Sequence, residues 1–71
     1  MASRLQIELA KAKKRIAKAV HKKIDCEDVT VCYDEWNISI HAWADHDIVA
    51  SWYRVNTLTT TQVVDYIQNE A

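Results

Sequence analysis

Seventy-one residues, 49% of them apolar and 27% charged, have the composition of one small folded domain rather than a disordered chain. The chain has no Gly and no Pro, which excludes glycine-rich phosphate loops and leaves the turns to Asp, Asn, Glu and His. Its net charge of −1 hides a sorting: residues 4–23 carry eight of the nine Lys and Arg with one acid, Glu8, whereas nine acids and one base, Arg54, follow from Ile24 onward.

The first element predicted is a helix of about five turns. Ser3-Arg4-Leu5-Gln6 fits a capping box, and Leu5, Leu9, Ala12, Ile16, Ala19, Val20 and Ile24 then recur at helical spacing. At 100° per residue, Arg4, Lys11, Lys14, Arg15, Lys18 and Lys22 form a stripe on the opposite side. Three β runs follow, Val29–Tyr33, Trp36–Trp43 and Ile48–Val55. A second capping box, Thr59-Thr60-Thr61-Gln62, with Leu58 and Val63 at staple spacing, opens a short last helix running to about Asn69.

Taking Asp34-Glu35 and Ala44-Asp45-His46-Asp47 as the hairpin loops sets the registers. Tyr33 then faces Trp36, Val31 faces Ile38 and Val29 faces Ile40; Ala42 faces Val49, Ile40 faces Ser51 and Ile38 faces Tyr53. Asp-Glu is not a favoured type I′ pair, so a longer first loop stays open. These registers gather Val29, Val31, Tyr33, Trp36, Ile38, Ile40, Ala42, Val49, Tyr53 and Val55 on one face. The expected fold is therefore α+β: residues 1–71 as one domain, α-β-β-β-α, a three-stranded antiparallel meander with both helices on one face.

The other face would be left open and would display Thr30, Cys32, Asn37, Ser39, His41, Trp43, Ile48, Ala50, Trp52 and Arg54. Trp43 and Trp52 beside Ile48, with His41 and Arg54 near, have the composition of a binding hot spot. The competing reading is a third strand of the other parity, or a terminus folded across the sheet.

For the charge sorting, a protein partner steered by a strongly dipolar molecule is one explanation. A nucleic acid whose phosphates follow Arg4, Lys11, Lys14, Arg15, Lys18 and Lys22 is another, and a merely solvated helix face is the third. The element order is similar to that of the double-stranded-RNA-binding domain in topology alone. That family carries a basic cluster at the start of its last helix, where this chain reads TTTQVVDYIQ, so membership is not assigned.

Catalytic and metal chemistry find no support in the pattern. His41, His46, Asp45 and Asp47 lack metal-ligand spacing, and the register puts Cys32 ~13 Å from His41. No cofactor is expected. Cys26 and Cys32 are read as reduced, which favours an intracellular, cytoplasmic setting. Arg4 and Glu8 interrupt any apolar leader core, and no apolar run exceeds three residues, so no signal peptide or membrane span is expected. The reading is a small non-enzymatic protein-binding module, an adaptor or inhibitor of the kind mobile elements encode. It would act through the tryptophan-bearing face on another protein or on a second copy as a homodimer. Nucleic-acid binding by the basic helix is the alternative.

Overall fold

A computed structural model describes residues 3–69. The elements are α1 (Arg4–Lys23), β1 (Asp28–Tyr33), β2 (Asn37–Ala44), β3 (Asp47–Val55) and α2 (Thr60–Asn69). The strands form one antiparallel sheet in the order β1-β2-β3. Among the described residues, no helix is long and apolar enough to cross a membrane.

Both helices start where their capping boxes place them. The Ser3 hydroxyl accepts from the Gln6 amide at 3.1 Å, and the Gln6 side chain accepts from the Ser3 amide at 3.0 Å. Thr59 and Gln62 repeat the exchange at 3.2 and 2.8 Å. These side chains satisfy amides that a helix start leaves without intrahelical partners. The helices run side by side in the same direction. Arg15 Nη2 donates to Thr61 Oγ1 near the start of α2, and Lys23 Nζ donates to the Ile67 carbonyl near its end. A cation on the last carbonyls of a helix also suits its dipole.

The core lies between this helix pair and one face of the sheet. Ile16, Ala19 and Val20 of α1 and Val63 and Ile67 of α2 close over Ile38, Ile40, Ala42 and Trp52. Ile38 and Ile40 are fully buried, each contributing about 1.5–3 kcal/mol of hydrophobic stabilisation. The apolar stripe of α1 outruns this core, because α2 begins only alongside Arg15, and Leu5 stays 73% exposed.

The first hairpin differs from the expected register by two residues: Tyr33 pairs with Ile38, Val31 with Ile40 and Val29 with Ala42. A slip of two preserves side-chain facing, so the inward residues of β1 and β2 are retained. Trp36, expected in the core, is instead 71% exposed. Asp34 is the cause: its carboxylate accepts from the Trp36 and Asn37 amides at 2.9 and 2.6 Å, building an Asx turn that lifts Trp36 out of the strand. Asn56 holds the same loop from outside. Its side chain donates to the Asp34 and Glu35 carbonyls at 2.9 and 2.6 Å, and its amide donates to the Trp36 carbonyl.

The second hairpin corrects the facing of β3. Trp43 pairs with Ile48, as the expected loop implies, but Ala44 also pairs with Asp47, which shortens the loop to Asp45-His46, and the register shifts between Trp43 and Ala42. Val49 is the extra residue of a β-bulge, and beyond it Ala42 pairs with Ala50, Ile40 with Trp52 and Ile38 with Arg54. One inserted residue reverses the parity of the rest of the strand. Trp52, expected on the open face, is therefore only 6% exposed, whereas Val49, Tyr53 and Val55, expected inside, are exposed.

Candidate functional site

The open face of the sheet is built from cross-strand rows, with Asn37 and Val55 forming the one beside the first loop. Thr30, His41 and Ser51 form one, Cys32, Ser39 and Tyr53 the next, and Asp28, Trp43 and Ile48 the row beside the second turn. His41 is the centre. Its ring meets Trp43 edge-on at 6.3 Å and Tyr53 edge-on at 5.8 Å, and its Nδ1 shares a 2.9 Å hydrogen bond with Ser51 Oγ. Edge-to-face pairs of this kind add to simple area burial. Trp43 leans across β1 and donates its indole N–H to Thr30 Oγ1 at 2.9 Å, which satisfies its polar tip and leaves the ring half-buried. Tyr53 is 59% exposed, and Ile48 and Val55 are also exposed.

Of the residues predicted for partner binding, His41, Trp43 and Ile48 come together on this face. Trp52 and Arg54 do not, because the bulge turns both toward the helices. Trp52 completes the core, and the Arg54 guanidinium stacks on the Tyr66 ring of α2, 3.0 Å from its centroid, while Nη1 donates to the Tyr53 carbonyl. Tyr53 and Val55 take their places. The sequence held one signal for this exchange: the Ile48-Val49 doublet breaks alternation where the bulge falls.

The acids frame the face at its ends. Asp28, Asp45 and Asp47 lie beside the second turn and Asp34 and Glu35 in the first loop, and all five are exposed. At the second turn, Glu27, Asp28, Trp43, Ala44, Asp45 and His46 line a shallow cleft of about 280 Å³. Glu27 fixes that end, donating its amide to the Trp43 carbonyl and accepting from the Asp45 amide at 2.7 Å. The backbone N–H groups of Asn37 and Trp36 hold the Asp34 carboxyl below its ordinary value, so it stays charged as pH falls.

Cys32 lies diagonal to His41, nearer than expected at about 7–8 Å between backbone positions, but His41 Nδ1 is directed to Ser51. Cys26 and Cys32 are both free thiols. Burial raises the pKa of Cys26, helped by the neighbouring charges of Asp25 and Asp28, and its sulfur lies 3.5 Å from His21 Nδ1.

The basic residues of α1 occupy the other side of the molecule. Arg4, Lys11, Lys14, Arg15, Lys18 and Lys22 are all exposed, as their helical spacing implies. Comparison with known protein families, curated proteins and solved structures finds no match for this chain.

Proposed function

We propose that this chain is a small non-enzymatic protein-binding module, an adaptor or inhibitor working inside the cell, that engages its partner through the open sheet face. The observation that carries this reading is the His41–Trp43–Tyr53 cluster, with exposed Ile48 and Val55, on a face where Asp28 is the lone formal charge. An aromatic centre depleted of charge inside a charged rim is the anatomy of a protein interface. The rim is acidic, so the fitting partner presents an apolar centre edged by Lys or Arg. Two free thiols suit a reducing compartment.

The test is affinity capture with the wild-type chain and with Tyr53→Arg and Trp43→Ala, repeated after nuclease treatment. A protein held by the wild type, lost from both variants and indifferent to nuclease is the expected result. Equal recovery by all three chains overturns the reading.

A further inference from the structure

We propose that the groove between α1 and α2 seats the phosphodiester backbone of a nucleic acid, on the side of the molecule away from the open sheet. Arg15, Lys18 and Lys22 line it from α1, Ala19 and Val64 form its floor, and Gln68 faces them from α2, around a space of about 250 Å³.

The first argument is electrostatic. A chain with nine cations and ten acids has enough of both to pair them, yet among the described residues the one ion pair is Arg4 with Glu8, at 3.5 Å. Among the described residues, Lys11, Lys14, Lys18 and Lys22 have no carboxylate within ion-pair distance. They also stand three or four residues apart on one helix face, where like charges destabilise the helix. Apart from Glu8 and Asp65, the acids of the described residues lie on the strands and in the loops around them. Among the described residues this cationic surface has no ion-pair partner beyond Glu8, and a polyanion supplies what is missing.

The second argument is geometric. From Lys11 to Lys22 the helix rises about 16 Å, the length of about five phosphates along one strand of a duplex. Arg15 is held at the groove by its bond to Thr61 Oγ1, and Thr61 belongs to the first turn of α2, which contains no acid. Gln68 adds a neutral amide able to donate to a phosphate oxygen. Asp65 is the acid of α2 among the described residues, and it is exposed beside the Thr61–Gln68 side of the helix. Lysine contacts to phosphate oxygens carry no sequence information, so the recognition proposed is of the backbone.

The experiment is fluorescence anisotropy of the full chain with one labelled oligonucleotide prepared as single- and double-stranded DNA and RNA, at low and rising salt. Binding should weaken with a log–log slope of about −4 to −5 on duplex DNA, close to −0.9 per phosphate contacted. Lys18→Ala/Lys22→Ala, shown folded by circular dichroism, should weaken binding at least about tenfold and flatten the slope by about 2. Asp65→Lys should tighten it. The ranking of the four oligonucleotides assigns the backbone to DNA or RNA. Absence of binding to all four at low salt overturns the proposal, as does binding that the double variant leaves unchanged. Polyglutamate that displaces the oligonucleotide charge for charge also overturns it, in favour of an acidic protein. These outcomes are separate from those of the capture experiment, which probes the opposite surface.

Discussion

Trp52 and Trp36 have exchanged the roles that strand alternation alone would give them, and stability measurements distinguish the two sharply. Trp52 is packed between β2 and the helices, so Trp52→Ala should cost about 3–5 kcal/mol, enough to unfold much of a domain this small. Trp36→Ala should move stability by no more than about 0.5 kcal/mol, because its ring is largely in water and its loop is held by Asp34 and Asn56. Urea unfolding of both variants checks the pair, and a mild Trp52→Ala would contradict the observed facing of β3. Asp34 adds a pH signature. Its folded pKa lies below the unfolded carboxylate value near 3.9, so its charge stabilises the fold above about pH 4 and that contribution is lost as pH falls through the folded value. The difference in thermal midpoint between wild type and Asp34→Ala should therefore be full at neutral pH and shrink below about pH 4.

At the scale of the element, the second turn shows how a chain without glycine makes a tight hairpin. Asp45 and His46 both adopt positive φ, 52° and 69°, the two left-handed residues that a type I′ turn requires. Asp tolerates this region readily; His is less suited, and glycine would relieve the strain. His46→Gly should raise stability by about 1 kcal/mol, read as a higher urea midpoint at unchanged slope. The helices were legible because capping boxes are local chemistry, written within four consecutive residues; the turns were located, but the first loop is two residues longer than expected and the second two residues shorter. The pairing of Trp43 with Ile48 was legible all the same. The facing of β3 was not, because a bulge leaves at most a broken alternation, Ile48-Val49, and its placement is decided by what packs best across the sheet. The open site was thus half legible: His41, Trp43 and Ile48 precede the shift, and Tyr53 and Val55 follow it.

For the whole molecule, an aromatic face with Asp28 as its one formal charge lies on one side and the basic helix on the other, and this arrangement bears on how two copies can meet. Three strands about 4.8 Å apart and about eight residues long at 3.3 Å each present roughly 400 Å² of projected sheet. A standard interface covers about 800 Å² per partner, so face-to-face self-association should be weak, a homodimer only at high concentration. Sedimentation velocity across a range of concentrations should show that reversible dimer, and Tyr53→Arg should abolish it by placing a charge at its centre. Ionic strength then distinguishes two geometries. Face to face, the acidic rims of both copies are brought together, so added salt screens a repulsion and should strengthen the dimer. Head to tail, the basic helix of one copy would meet the acidic rim of the next, and salt should weaken the contact instead. We expect the first behaviour, because the apolar surface exposed on His41, Trp43, Tyr53, Ile48 and Val55 has no counterpart among the exposed lysines of α1. Dissociation on adding salt would assign self-association to the charge dipole and leave the aromatic face to a different protein.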